Sequence, residues 1–269
     1  EQDWYSFTLG AGETAVLALD ADPERDGVGW NGRLGIALFG DANNQILVVN
    51  DGNAGGVAGN PPGEALYMTV KNPGTYYAFV DSADPLVGGP TATYQLSVSI
   101  RPNVDAGATC TTYTSTNVPA AIGPGSAAVA TSTITIPPIP GGGRIIDVDV
   151  AVDLTHAVMG EIDATLGSPV GGETGLFTDI GAATTGGQVQ MDTVFDDEAG
   201  IPPAFTVLRG LRLKPEPAYR LAWFDGEEAA GTWTLTLRDD GDNANGGTLN
   251  AWSLRVCTAP PPQPVCAGN

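Results

Sequence analysis

Basic side chains are scarce in this sequence, which has 11 Lys and Arg against 31 Asp and Glu and a formal net charge of −20 at pH 7. No basic patch interrupts the acidic residues, which argues against a nucleic acid or an anionic membrane surface as the partner. No apolar run reaches the roughly 18 residues that a membrane-spanning helix requires. The first residues also lack a charged region followed by an apolar stretch. We therefore expect that a signal peptide has been removed or that the chain starts within a longer protein.

Motifs for catalysis are absent as well. His156 is the sole histidine, and no Gly-x-Ser-x-Gly or Gly-Thr-Ser-like turn supplies the nucleophile of a Ser-His-Asp triad. The sequence also lacks a His-Glu-x-x-His motif, a Walker motif and a dinucleotide-binding loop. The many carboxylates would permit the pair of acidic residues that a glycosidase uses, but no motif identifies which two would form it. The sequence predicts that the chain is not an enzyme and that His156 is a hydrogen-bonded structural residue.

Cysteine is rare, with only Cys110, Cys257 and Cys266. They form no Cys-x-x-Cys pair and no cluster with histidine, which argues against a zinc site.

Glycine and proline, by contrast, are abundant, with 37 and 21 residues that divide the 269-residue chain into short segments. Thr, Val and aromatic residues between these breaks are typical of an all-β protein with many turns. The length favours about two domains. We predict two β-sandwich domains in tandem, jelly-roll-like in architecture. Residues 1–101 form the first and 110–257 the second, with a linker at 102–109 and a Pro-rich extended tail at 258–269.

Two segments alternate with the period of a half-buried strand. Tyr5, Phe7 and Leu9 share one face of the first segment. The clearest strand runs from residue 145 to 154, where the apolar residues face one way and Asp147, Asp149, Ala151 and Asp153 face the other. The apolar set there comprises Ile146, Val148, Val150, Val152 and Leu154.

The first domain resembles the bacterial pre-peptidase C-terminal domain. The resemblance covers the whole unit through a series of short motifs: Asp3-Trp4-Tyr5-Ser6-Phe7, Ala11-Gly12-Glu13, Leu34 to Phe39, Asn50-Asp51, Pro73 to Val80 and Tyr94 to Val98. It implies a secreted β-sandwich that accompanies extracellular enzymes.

Residues 145–256 resemble the P domain (Homo B domain) that follows the catalytic domain in kexin-like proprotein convertases and in many secreted bacterial proteases. The motifs that carry this resemblance, in order, are Asp153-Leu154-Thr155-His156, Gly160-Glu161-Ile162-Asp163, Ser168-Pro169, Phe195-Asp196-Asp197-Glu198-Ala199, Gly226-Glu227, Gly231-Thr232-Trp233 and Gly247 to Leu254. The resemblance implies a non-catalytic, β-rich module.

In such a domain Cys110 lies before the first strand and Cys257 ends the last. Terminal strands of a sandwich often lie side by side, so we favour a Cys110–Cys257 disulfide, which implies an oxidising compartment. Cys266 is then the odd cysteine. It could be free, pair with Cys257 instead, or bridge to another chain.

The acidic residues also suggest calcium, which binds six to eight oxygen ligands. Asp192, Asp196, Asp197 and Glu198 offer four carboxylates within seven residues beside a loop, and some P domains hold Ca²⁺ nearby. Glu161 and Asp163 could add ligands across the sheet. The alternative is a solvated acidic loop. The stretch from Asp239 to Asn243 fails the EF-hand spacing and is predicted to be a solvated turn.

The first domain offers a weaker metal candidate in Asp20, Asp22 and Asp26, on an acidic loop that departs from the family pattern. Trp30 sits in a Gly-rich loop, where an aromatic ring can contact a partner or a sugar. It can equally fill the core of its own domain.

Three functions compete. We favour a secreted, extracellular bacterial protein that self-associates into a filament or surface assembly stabilised by calcium, with the Pro-rich tail, an added edge strand or Cys266 making the contact. The alternative is the C-terminal accessory region of a secreted subtilisin-like serine protease. The third is an adhesion or carbohydrate-binding module, for which the sequence locates no exposed aromatic residues.

Overall fold

The chain forms two compact units, Glu1–Asn103 and Val104–Asn269. The computed structural model describes residues 2–25, 30, 32–37, 47–49, 63–82, 93–102, 109–125, 128–140, 142–181, 189–203 and 208–259. Nearly all of the regular structure is β-strand, which confirms the predicted fold class of tandem β-sandwiches. Nearly all of the predicted linker and tail lie outside the described residues, so the domain boundaries stay predictions.

The first unit consists of two antiparallel sheets. Its strands are β1 (Gln2–Leu9), β2 (Thr14–Asp20), β3 (Gly32–Ala37), β4 (Leu47–Val49), β5 (Gly63–Val70), β6 (Gly74–Ser82) and β7 (Gln95–Arg101). One sheet has the order β1-β6-β3-β4, and in the other β2 lies between β7 and β5. Alternating residues of β2 and β5 point inward because side chains on a strand have a period of two, whereas β7 is exposed along most of its length.

The core of the first unit contains Leu9, Leu17, Ile36 and Met68, each at most 1% exposed. The predicted inward face of β1 is only partly buried. Leu9 lies in the core, but Tyr5 is 42% exposed and its hydroxyl lies 2.5 Å from that of Tyr94. The reason is that β1 lies at the edge of its sheet, where β6 is its one partner among the described strands, so its beginning lies beyond the core.

The second unit is a larger sandwich. Its strands are β8 (Thr109–Thr114), β9 (Ala120–Ile122), β10 (Ala128–Ile136), β11 (Arg144–His156), β12 (Ile162–Gly167), β13 (Glu173–Thr178), β14 (Gln190–Phe195), β15 (Arg209–Leu213), β16 (Gly231–Asp239) and β17 (Gly247–Ala259). One sheet has the order β10-β16-β12-β13. The other has the order β15-β14-β11-β17-β8, and β9 also pairs with β17. The β14–β15 pair is parallel, and the other pairs are antiparallel. Two short 3₁₀ helices, Met159–Glu161 and Leu221–Phe224, connect strands.

The strand β11 runs through the centre of its sheet, between β14 and β17. Val148, Val150, Val152 and Leu154 are all buried, as the alternation predicts. The prediction is wrong at Ile146, which is 45% exposed, whereas Ile145 is buried. A register shift between residues 145 and 147 in the pairing with β17 explains the difference, because a bulge moves the next side chains to the opposite face.

A disulfide joins Cys110 on β8 to Cys257 on β17. The two residues are direct register partners, so the first and last strands of the second unit lie side by side, as the sequence analysis expects. Cys266 lies outside the described residues. Within the part of the chain that the structure describes, no helix is long and apolar enough to cross a membrane.

Candidate functional sites

A buried charge network follows the end of β14. The Arg212 guanidinium on β15 donates hydrogen bonds to Asp196 Oδ2 at 2.8 Å and to Asp149 Oδ2 at 2.9 Å. Asp149 lies on β11 and also accepts from Arg255 of β17 at 3.1 Å. The second oxygen of Asp196 accepts a hydrogen bond from the Glu198 amide at 2.7 Å. Protein donors therefore already occupy both oxygens of the Asp196 carboxylate, one of the predicted calcium ligands.

Two carboxyls of this network, those of Asp149 and Glu198, have raised pKa values. Burial raises the pKa of Asp149 to about 6, and the nearby Asp196 charge adds to the effect against the opposing influence of Arg212. Burial also raises the pKa of Glu198 to about 7, with further contributions from its hydrogen bond to Asp196 and from Asp147. Desolvation of the charged form is the largest cause for both groups, and neighbouring negative charge adds to it, although the Glu198 side chain lies at the exposed edge of the network.

Asp197 has a structural role at the second 3₁₀ helix. Its two carboxylate oxygens accept hydrogen bonds from the backbone amides of Leu221 at 3.1 Å and Ala222 at 2.8 Å. These amides open the helix Leu221–Phe224 and have no partners within it. Asp192 lies on β14 opposite Asp153 of β11, where it is half-buried.

The structure divides the predicted calcium ligands into two sets. Asp192, Asp196, Asp197 and Glu198 belong to the network around β14, whereas Glu161 and Asp163 lie at the start of β12 in the other sheet. The pKa of Asp163 is raised by burial and by the neighbouring charges of Asp179 and Asp240. No observation here tests calcium binding at either set, and calcium stays a prediction.

The weaker metal candidate in the first unit is held by protein contacts in its described part. Asp20 forms an ion pair with Arg25 at 2.6 Å, and the hydrogen bond from Arg25 lowers the pKa of Asp20. Asp22 is buried, and Asp26 lies outside the described residues. Trp30 is only 7% exposed, and its indole nitrogen donates to the carbonyl of Thr93 at 2.9 Å. Of the two roles considered for Trp30, the structure favours the core of its own domain.

A further group of ionisable side chains meets where β11 and β16 end. His156, Glu161 and Asp239 each place one ligating atom within 4.8 Å of the others. His156 and Asp239 are buried, and Glu161 is half-buried. The prediction of a solvated turn from Asp239 to Asn243, which rested on the failed EF-hand spacing, is wrong for Asp239, because this residue ends β16 and is buried. Asp239 pairs with Ile162 of β12, the residue that follows Glu161.

Trp223 is the most exposed large apolar side chain among the described residues, at 62%. It lies on the second 3₁₀ helix, next to Ala222. A surface hollow of about 360 Å³ is lined by Ala222 and by Lys214, Tyr219 and Arg220. Tryptophan is enriched among the residues that contribute most to protein–protein binding.

Residues 145–256 match the family model of the proprotein convertase P-domain. This segment contains β11 to β16, most of β17, and every member of the two ionisable groups described above for the second unit. No curated protein matches the chain significantly. The resemblance of residues 1–101 to pre-peptidase C-terminal domains stays a prediction.

Solved structures give weaker similarities. The serine protease of Aeromonas sobria in complex with a chaperone is 20% identical, with 56% of this chain covered and a TM-score of 0.36. The same protease alone gives 19% identity, 56% coverage and a TM-score of 0.32. In both, the chain spans 26% of the length of the solved protein. A β-porphyranase of glycoside hydrolase family 86 from Bacteroides plebeius is 10% identical over 95% of this chain and 33% of its own, with a TM-score of 0.32. TM-scores of this size support no conclusion about fold or function.

Proposed function

We propose that this chain is the non-catalytic accessory region of a secreted subtilisin-like serine protease, and that its second unit braces the catalytic domain. The match of residues 145–256 to the proprotein convertase P-domain carries the proposal. P domains follow the catalytic domain in such proteases and do not themselves cleave peptides. The proposed location is extracellular, and the disulfide Cys110–Cys257 accords with an oxidising compartment.

The second unit has the physical properties that a brace requires. Its sheets enclose a continuous apolar core, with Trp233, Trp252, Phe177 and Phe195 almost completely buried. A domain that is already rigid loses little conformational entropy when its surface binds a partner. The exposed Trp223 beside the hollow at Tyr219 and Arg220 is the proposed contact with the catalytic domain.

Self-association into a filament was the favoured reading of the sequence, and no observation on the described residues supports it. The tail beyond residue 259 and Cys266, which are two of the three contacts considered for self-association, lie outside the described residues. The accessory role has the specific support of the family match and therefore replaces self-association as the main proposal.

The first test is genetic and enzymatic. The coding sequence that contains this chain should also encode a subtilisin-like catalytic domain on its N-terminal side. The protease should lose peptidase activity at elevated temperature several-fold faster when residues 1–269 are deleted. Trp223→Ala should also shorten the half-life of the peptidase activity at this temperature. Glu173→Gln, which changes an exposed residue on β13, should leave that half-life unchanged.

Two results would overturn the proposal. One is a catalytic domain with the same half-life in the presence and absence of this chain. The other is a coding sequence without a protease, together with regular filaments in negative-stain electron microscopy that fray when Ca²⁺ is chelated. The latter result would return the chain to the assembly role.

A further inference from the structure

Three elements of the second unit end at one point and bring three ligand-type side chains together there. His156 is the last residue of β11, Glu161 is the last residue of the first 3₁₀ helix, and Asp239 is the last residue of β16. One ligating atom from each lies within 4.8 Å of the other two. The side chains of His156 and Asp239 are completely buried.

The contacts of His156 determine which ring nitrogen is free to bind. Its Nδ1 lies 2.7 Å from the carbonyl oxygen of Val158. Nδ1 also lies 3.3 Å from the backbone nitrogen of Val158. We assign the proton to Nδ1 because its contact with the carbonyl oxygen is the shorter one, and two lone pairs at that distance would repel each other. In the neutral ring Nε2 is then a lone-pair atom, and it faces Asp239 Oδ2 at 3.4 Å.

These two facing atoms lack a hydrogen-bond donor. No described residue forms a hydrogen bond with His156 Nε2 or with Asp239 Oδ2, and both atoms are buried. Two buried lone-pair atoms that face each other repel, and an unsatisfied buried polar atom costs about 1–3 kcal/mol. A cation between them removes this cost. The cation is either a proton on His156 or a metal ion.

The position of Glu161 favours a metal ion, because a proton on Nε2 needs only Asp239. Asn243 Nδ2 donates to Glu161 Oε1 at 2.7 Å and Asn245 Nδ2 donates to Oε2 at 3.4 Å. These hydrogen bonds orient the carboxylate, and each oxygen keeps a second lone pair for an ion. The carboxylate lies so close to Gly241 that a Cβ atom there would approach Glu161 Cδ to 2.5 Å. Because Gly241 has no side chain, the Glu161 carboxylate can occupy this space.

We propose that His156, Glu161 and Asp239 bind one divalent transition-metal ion, of which Zn²⁺ is the representative. One imidazole nitrogen with two carboxylates is a ligand set for such ions, whereas Ca²⁺ takes oxygen ligands. Three protein donors leave the fourth position of a tetrahedral ion to water. The Val158 carbonyl, which fixes the ring orientation through Nδ1, is the outer partner that histidine ligands usually have.

The distances require only a small adjustment. Ligand bonds of about 2.0–2.2 Å place the donors of a tetrahedral zinc ion about 3.4 Å apart. The His156–Asp239 separation already has this value. The ligating oxygen of Glu161 lies within 4.8 Å of the other two atoms, and this half-buried carboxylate is the ligand that has to move towards them when the ion binds.

The ion would tie the two sheets of the second unit together, because β11 belongs to one sheet and β16 to the other. The sequence analysis argued against zinc, since the chain has no Cys/His cluster. The donors at positions 156, 161 and 239 become neighbours only through the strand pairing.

The test uses the sole histidine of the chain as a reporter. Chain without a polyhistidine tag is stripped of metal and titrated with Zn²⁺ while the imidazole resonances of His156 are followed by NMR. The expected result is that these resonances change in proportion to added Zn²⁺ and stop changing at one equivalent. At a Zn²⁺ concentration of about 100 times Kd, the unfolding midpoint should rise by about 5 °C or more.

Glu161→Gln should weaken Zn²⁺ binding at least tenfold, and the matched variant Glu173→Gln should leave it unchanged. Excess Ca²⁺ should not displace the Zn²⁺ from His156. Imidazole resonances of the wild-type chain that stay unchanged at one equivalent would overturn the proposal, even if Zn²⁺ bound elsewhere on the acidic surface. A proton on His156 Nε2 would then compensate the facing lone pairs of Nε2 and Asp239 Oδ2.

Discussion

At the scale of single residues, Arg212 is the residue on which the buried carboxylates most depend. Its guanidinium bonds to Asp149 and Asp196, which are 3% exposed each. Removing one partner of a buried ion pair leaves an uncompensated charge, which costs more than the pair itself contributes. Burial already disfavours the charged form of Asp149, because desolvation raises the pKa of this carboxyl.

Arg212→Met should therefore lower the free energy of unfolding by about 3–5 kcal/mol at neutral pH. Urea denaturation followed by tryptophan fluorescence measures the change. Arg209→Met is the matched control, because Arg209 lies exposed on the same strand. Adding Asp149→Asn to Arg212→Met should restore part of the loss, since it removes one of the stranded charges. No recovery in the double variant would contradict this electrostatic explanation.

At the scale of strands, the disulfide is a covalent link between two strands that also pair by backbone hydrogen bonds. It joins β8 to β17 and spans a sequence separation of 147 residues. β8 lies at the edge of its sheet, and within the described part of the chain it pairs with β17 alone. A bridge that closes a loop of this length restrains the unfolded chain strongly.

Replacing both Cys110 and Cys257 with serine should lower the free energy of unfolding by about 2–5 kcal/mol. Thermal unfolding without reductant measures it, and amide exchange should then show β8 to be the first strand to open. Cys266→Ser removes a thiol but neither partner of the bridge, so it should leave the midpoint unchanged. Equal midpoints for the double variant and the parent chain would show that sheet pairing alone holds β8.

The strands also show what local sequence can predict. Alternation located β11 and its buried apolar face, because a period of two is a local property of the chain. It misplaced Ile146, since the bulge depends on pairing with β17, more than a hundred residues away in the sequence. The sequence predicted that carboxylates near residue 196 are metal ligands, but it gave no sign that Arg212 lies beside them. Arg212 is brought there by the parallel pairing of β14 with β15, which is also a long-range contact.

At the scale of the whole molecule, the excess of acidic residues gives the chain an unusual response to pH. Burial raises the pKa of Asp149 to about 6 and that of Glu198 to about 7, from ordinary values of 3.8 and 4.5. The pKa values of Asp163, Asp179 and Asp225 are also raised, chiefly by burial. The folded chain therefore binds these protons more tightly than the unfolded chain does.

Stability should consequently rise as the pH falls from about 8 to about 5, the interval in which Glu198 and Asp149 take up protons in the folded state but not in the unfolded state. We expect a midpoint about 2–4 °C higher at the lower pH, measured by calorimetry with chelator present. Asp20 opposes this trend only at more acidic pH, because its pKa is lowered. Glu198→Gln should flatten the profile above about pH 6. A midpoint that fell steadily between pH 8 and pH 5 would mean that cations or water compensate the buried carboxylates.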